Sequence, residues 1–302
     1  MNKRMAGVAL ITSLLLLSVI TLLVLAMTTR QQLDLQRSAH LSHAEQSYWY
    51  ALSAVNWARR VLNSDDRGVD SEHDNWGGKV PTLAIEQGTM AVSIIDLQGR
   101  FNLNNLLQAD EPHPVSVARF KRLLTQLDIN SPITPALLDW LDEDTTETPG
   151  GAEDRYYATL KPPYRAANRL MADPSELRLV RGVNEEIYAK IRPYITTLPV
   201  VTGINVNTAS PPVLASLATN NELDVNSVIA GREKNAFSNI KLFKTYLPMT
   251  TDESAADGLV VASSYFLLTT DVTLGVAHQR RHTRLVRDEQ TTTSLNQSPA
   301  YQ

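Results

Sequence analysis

The chain has 302 residues, 43% of them hydrophobic, 20% charged and 6% aromatic, with a formal net charge of −4 and no cysteine. Such an aliphatic composition can bury a core, which excludes wholesale disorder and collagen-like repeats, and the length suits one large domain or two small ones. Twenty-eight basic residues against 32 acidic ones give no global attraction for nucleic acid, and the missing cysteines exclude a disulfide frame, a thiolate metal site and a thiol nucleophile.

No charged residue stands between Arg4 and Arg30, and Val8 to Met27 supplies 20 almost wholly apolar positions, the length that crosses a hydrocarbon core of about 30 Å. Lys3 and Arg4 precede the run. Basic residues there hold the short end in the cytoplasm and send everything after Arg30 to the outer, periplasmic side of an inner membrane. A cleavable secretory signal is the alternative, but no A-x-A site follows the apolar run, and neither Gly nor Pro occurs from Val8 to Arg67. Beyond the membrane, Leu41, Ala44, Tyr48, Ala51, Val55, Ala58 and Leu62 recur at spacings of three and four, the stripe of an amphipathic helix. The pattern predicts one rod over Val8 to Leu62, roughly 80 Å long at 1.5 Å per residue. Residues 8–29 are its membrane half and residues 30–63 its amphipathic half.

After a polar, Gly-containing loop, Thr89 to Leu97 alternates, with Met90, Val92 and Ile94 on one face. Gln98 and Gly99 then turn the chain into Arg100 to Leu103, which reads as a hairpin. Ser263 to Leu274 and His278 to Val286 are rich in Tyr, Phe, Val, Leu and Thr and read as two further strands. His278, Arg280, Arg281, His282 and Arg284 read as the solvated face of an edge strand. A sheet in two parts, residues 82–111 and 259–288, thus brackets a helical block over residues 112–250. The expected fold class is α+β, with an antiparallel sheet on the long helix and an inserted all-α domain. In that block Pro114 to Leu127 buries Val117, Phe120, Leu123, Leu124 and Leu127, while Thr134 before Pro135 and Asp173 before Pro174 mark helix starts. Residues 289–302 are polar and read as a flexible tail.

The segment Asp139 to Asp154, DWLDEDTTETPGGAED, carries seven carboxylates and no Lys or Arg. Carboxylates held about 4 Å apart near a surface repel by up to ~4 kcal/mol per pair, so a folded loop needs water or a cation among them. Hard oxygen ligands on an irregular loop suit Ca²⁺. Asp142, Asp144 and Glu153 have the spacing of the first, third and last ligands of an EF-hand loop, but Thr146 and Glu147 stand where that loop needs a ligand and a glycine. A merely solvated acidic loop is the alternative.

Ile204 to Ile240 resembles a helix-hairpin-helix of the kind found in DNA-uptake receptors, and Ser175 to Tyr194 resembles a weaker, SAM-like copy. The first keeps no glycine over Ala218 to Asn221, and the second keeps only Gly182. Without glycine hairpins the backbone cannot cradle a phosphate, so a protein-interaction scaffold is the expectation, helices packed merely for stability the plain alternative, and a membrane-anchored DNA receptor the rival. No G-x-S-x-G elbow, H-E-x-x-H helix or phosphate loop is present, and no enzyme is expected.

A short basic leader ending in Gly7, followed at once by a helix apolar in its first half and amphipathic in its second, resembles the type IV pilins and pseudopilins. The resemblance implies that prepilin peptidase cuts after Gly7, removing residues 1–7, and methylates the new terminus at Val8. Most of that class carry glutamate at the fifth mature position, where this chain has Thr12; a hydroxyl simply tolerated in a membrane helix is the plain alternative. With the large insertion, the missing carboxylate resembles the K-type minor pseudopilins of type II secretion systems (the GspK family). That resemblance implies a place at the fibre tip, where no subunit above offers an amino terminus to neutralise, and a role in exporting folded proteins. It implies I-type and J-type minor pseudopilins as partners, with the secretin or exported substrates as further ones, and no nucleic acid. It also implies calcium in the helical domain. Asp142, Asp144, Glu153 and Asp154 are then the expected ligands, with Asp139, Glu147, Asn168 and Glu176 in second rank.

Overall fold

The computed structural model describes residues 3–78, 80–218, 223–247, 257–275 and 277–299. Helix α1 runs unbroken over Lys3–Ser64, with Gly7 and Val8 inside its first turns. Its polar interruptions cost little, because Ser18 and Thr21 donate their hydroxyls to the carbonyls of Leu15 and Leu17, each at 2.8 Å. Every side chain from residue 10 to residue 42 is exposed, Thr12 among them, and full burial begins at Ser47.

The second half of α1 lies on a five-stranded antiparallel sheet. Its strands are β1 (Leu83–Ile85), β2 (Gly88–Asp96), β3 (Tyr265–Leu274), β4 (Ala277–Arg287) and β5 (Thr292–Pro299), in that spatial order. Alternation along β3 buries Phe266, Leu268, Val272 and Leu274. Ala54, Val55, Ala58 and Leu62 of α1 meet Val92, Ile94, Phe266, Leu268 and Leu285, with Trp76 edge-on to Phe266 at 5.1 Å. The alanines let the helix backbone approach the sheet closely.

Three expectations are corrected here. Phe101–Asn102 does not fold back on β2 as a hairpin but pairs in parallel with Ile195–Thr196. Phe101 is buried against Phe120 at 5.5 Å, and the asparagines beside it latch onto a distant loop. Asn102 Nδ2 donates to the Val200 carbonyl at 3.0 Å, Asn104 Nδ2 to that of Leu198 at 2.9 Å and Asn105 Nδ2 to that of Thr202 at 2.6 Å. Buried amides of this kind hold only when paired. The segment read as a flexible tail forms β5 instead: Asp288 Oδ1 accepts the Gln290 and Thr291 N–H groups and turns the chain. Thr292 is then buried, its hydroxyl on Asn63 Oδ1 at 2.7 Å and its carbonyl taking Arg59 Nε at 2.6 Å. Consequently β4 is no edge strand; Asp271 of β3 accepts from both His278 and Arg280.

Between β2 and β3 the chain builds the helical domain on a core of its own. Helix α2 (Pro114–Gln126) is capped by His113. Helix α3 (Ile133–Leu141) starts one residue before Thr134, so Thr134 caps nothing. A 3₁₀ helix over Pro174–Leu179 stands where Asp173 marked a helix start, and its capping box joins Asp173 to Glu176. A four-residue turn, α4 (Asp154–Tyr157), leads toward α5 (Glu185–Ile191), α6 (Pro211–Ala215), α7 (Val225–Lys234) and α8 (Ile240–Lys244). Most of the Ala218 to Asn221 hairpin lies outside the described residues. Gly182, at φ +85°, gives its carbonyl to the Ser131 hydroxyl at 3.0 Å, so its loop serves packing.

The insertion leaves and re-enters the sheet at neighbouring points, since Leu97 N–H donates to the Tyr265 carbonyl at 2.9 Å. The junction is buried and polar. Asp96 Oδ2 accepts from Thr208 at 2.6 Å, Ser263 at 2.7 Å and Asn205 at 3.0 Å, and burial raises the Asp96 carboxyl above its ordinary range. Beside it Arg287 pairs with fully buried Asp70, lies 3.9 Å from Asp65 and donates to the Ser263 carbonyl at 2.8 Å. Burial pushes Asp70 up to about 6 even so.

Candidate metal centre

Helix α3 delivers the first groups of the acidic loop. Asp139 sits on its buried face with no exposed surface, and its carboxylate accepts the Thr148 hydroxyl at 2.6 Å and the Thr148 N–H at 3.2 Å. That anchor folds the loop back over α3. Gly151 permits it, because a Cβ there would lie 1.9 Å from Asp139 Oδ2. Gly151→Ala should therefore destabilise the protein by about 1–3 kcal/mol, read from a denaturant melt; an unchanged midpoint would show that the loop rearranges freely. Beneath the loop, Trp140 meets Tyr157 edge-on at 5.2 Å, and Tyr157 stacks on Tyr164 at 5.2 Å.

At the end of α3 the structure brings three of the expected ligands together. Asp142, Asp144 and Glu153 each offer a carboxylate oxygen within 4.8 Å of the others. Oxygens bound to one calcium at 2.3–2.6 Å stand at most about 5 Å apart. Glu153 is 2% exposed, yet neither of its oxygens has a hydrogen-bond partner, and Asp142 Oδ1 is likewise buried and unpartnered. Asn168, at φ +44°, donates its amide N–H to the Asp144 carbonyl at 2.5 Å and leaves its own Oδ1 buried without a partner. Among the described residues no Lys, Arg or His comes within 4.0 Å of these three carboxylates. Burial, then the charges of Asp144, Asp139 and Asp110, pushes Asp142 up to about 6. Burial, then Asp139 and Asp142, pushes Glu153 up to about 7. Asp144 is exposed and its Oδ1 accepts the Thr146 N–H at 2.6 Å, but the unpaired buried oxygens of Asp142, Glu153 and Asn168 are donors of the kind a hard divalent cation accepts.

The other expected ligands are engaged elsewhere. Asp154 accepts the Ala166 N–H at 2.9 Å and lies 3.8 Å from Arg165. Glu147 lies 3.8 Å from Arg181, whose guanidinium also donates to the Gly151 carbonyl at 2.8 Å. Glu176 closes its capping box on the Ala172 and Asp173 N–H groups at 2.8 and 3.1 Å. Asp139 contributes its charge while its oxygens hold Thr148. One acid escaped sequence reading: Asp110 accepts the Glu143 N–H at 3.1 Å and adds to the field on Asp142, and nothing in its own neighbourhood is acid-rich. A second acidic group, Asp65, Asp70 and Asp74, already contains Arg287 as its cation.

Comparison with known proteins gives the relationship of the whole chain. Residues 99–200 and 204–262 match the two domain models described as type II secretion system (T2SS), protein K. The type II secretion system protein K of Pseudomonas aeruginosa is 34% identical over 293 residues, covering 92% of this chain and 88% of that protein. Its Klebsiella pneumoniae counterpart is 31% identical over 314 residues, covering 96% and 95%. In the crystal structure of the GspK-GspI-GspJ complex from enterotoxigenic Escherichia coli, one chain superposes with a TM-score of 0.76 at 26% identity, over 88% of this chain and 100% of that one. With the long helix, the antiparallel sheet and the helical insertion in place, the chain belongs to the type II secretion protein K family, the K-type minor pseudopilins.

Proposed function

We propose that this protein acts by assembly at the tip of the type II secretion pseudopilus, helping folded proteins cross the outer membrane, and that it turns over no substrate. The carrying observation is α1. Residues 10–29 are uncharged and exposed on every side, with mean hydropathy 2.7 over the most apolar stretch, and Leu33, Leu35, Leu41 and Trp49 extend exposed apolar surface past the membrane length. A subunit alone has nothing to cover these side chains. Lipid covers residues 8–29 before assembly, with the body in the periplasm, and neighbouring α1 helices cover the rod in the fibre.

The solved relative, GspK, was crystallised in complex with GspI and GspJ, and the I-type and J-type subunits are the partners proposed here. Thr12 fits a terminal position, because a subunit with none above it meets no amino terminus to neutralise. Prepilin peptidase acts first, between Gly7 and Val8. In this reading Asp142, Asp144, Glu153 and the Asn168 side-chain oxygen hold Ca²⁺, which neutralises the trio and ties the end of α3 to the segments around residues 153 and 168. The secretin or the cargo is the surface such a tip would meet.

The test is the mature terminus. Mass spectrometry of protein isolated from envelopes should find methylated Val8 as the first residue. A chain beginning downstream of Met27 would lack the rod, and the assembly reading would fail with it.

A further inference from the structure

A cavity of about 290 Å³ lies where the outward face of the sheet meets the helical domain. Its charged lining is Arg100, Arg192, Arg284 and His282, against the single carboxylate of Asp173. Asp173 is already engaged: it accepts the Ser175 N–H at 2.9 Å and pairs with Arg284 at 3.0 Å, while Arg284 also donates to the Ala172 carbonyl at 2.8 Å. The next carboxylate felt by Arg100, that of Asp96, is filled by its hydroxyl and amide donors. His282 is tethered through Nδ1 to the Thr269 hydroxyl at 3.0 Å. Among the described residues, the Arg100 and Arg192 guanidiniums have neither an ion pair nor a hydrogen bond. Burial, then the nearby charge of Arg192, pushes Arg100 down to about 10.

In an acidic protein this is an unusual local surplus of positive charge, built from two elements that the insertion alone brings together. Arginine forks match carboxylates with two parallel hydrogen bonds, and the cavity volume suits one small acid or one acidic side chain.

We propose that this cavity is a carboxylate-binding site in which Arg100 and Arg192 grip the anion, with the fixed Arg284 and His282 as its wall. The carboxylate can come from a small free acid or from an acidic side chain of a protein lying across the cavity mouth. The proposal is independent of calcium and of the position in the fibre.

Calorimetric titration of the full chain in a non-ionic detergent tests it, with succinate as the small acid, a capped hexaglutamate peptide as the side-chain source, and sodium chloride at matched ionic strength as the control. Succinate is chosen because it chelates calcium weakly. Succinate should bind saturably, with affinity at least 10-fold weaker in Arg192→Gln and in Arg100→Gln and partly kept in Arg192→Lys. Without anion, both glutamine variants should melt at or above the parent temperature, because a like charge has been removed; this separates loss of a site from loss of the fold. Binding of succinate alone supports a free acid as the occupant, whereas peptide binding that succinate displaces supports a protein side chain. Heats that sodium chloride reproduces, equal affinities in parent and variants, or no binding of either probe would overturn the proposal.

Discussion

Chelation of divalent cations should lower the melting temperature by roughly 5–10 °C at pH 7.5, and added calcium should restore it. An ion present at 100 times its dissociation constant stabilises the form that binds it by about 2.7 kcal/mol, and each kcal/mol moves the midpoint of a chain of this size by about 2–4 °C. The pH dependence has a definite sign. In the ion-free protein, Asp142 and Glu153 take up protons at about 6 and about 7, well above the unfolded range near 4. Their contribution to stability is therefore fully present below about pH 4 and is lost as pH rises through 6 and 7. Calcium demands the ionised forms and competes with those protons. The chelated protein should thus melt higher as pH falls from 7.5 to 5, and the gap between chelated and calcium-loaded samples should close over that interval. Glu153→Gln adds an independent check: it removes repulsion and a ligand together, so its melting temperature in chelator should rise while its response to calcium disappears. A gap of constant size across pH, or a full calcium response in that variant, would remove the trio from the ion's ligand set.

Arg287→Met should cost about 3–5 kcal/mol, the range for breaking a buried pair from one side, and chemical denaturation should show it as a displaced midpoint. Arg287 is 4% exposed and Asp70 0%, so removal of the guanidinium leaves a carboxylate without its counter-ion among Ser263, Asp65 and the end of α1. Joining Asp70→Asn to Arg287→Met should recover most of the loss, because the buried charge is then gone from both sides. Were the single variant to lose less than about 1 kcal/mol, the pair would contribute only what an exposed surface bridge does.

The helix α1 was legible because two periodicities follow one another without a breaker, an unbroken apolar run and then a stripe at three and four. The main strands β2, β3 and β4 were legible because each alternates against a single buried face. What escaped depends on distance along the chain. Phe101 belongs to the helical core because Asn102, Asn104 and Asn105 find carbonyls almost a hundred residues away, and no local pattern announces that. The last strand escaped because its sequence, TTSLNQSP, has only Leu295 as a large apolar residue and so shows no alternation. Its pairing is fixed by the Asp288 turn and by Asn63 and Arg59 of α1. In the acidic loop, charge density marked the segment and the resemblance implied Asp142, Asp144, Glu153 and Asp154 as ligands, but that Asp154 and Glu147 are diverted depends on arginines the fold brings near, Arg165 and Arg181. Glu176 is the exception: Asp173 followed three residues later by a glutamate is a capping-box pattern, and it was readable in advance.

Because Asp96 and Phe266 are direct partners across β2 and β3, the helical domain is a hairpin loop grown to the size of a second protein. Both of its ends emerge from one rung of the ladder, so lengthening, trimming or exchanging it re-threads no strand. A lineage of such chains can remodel what the helical domain presents at its far end while the sheet and the helix lying on it stay untouched.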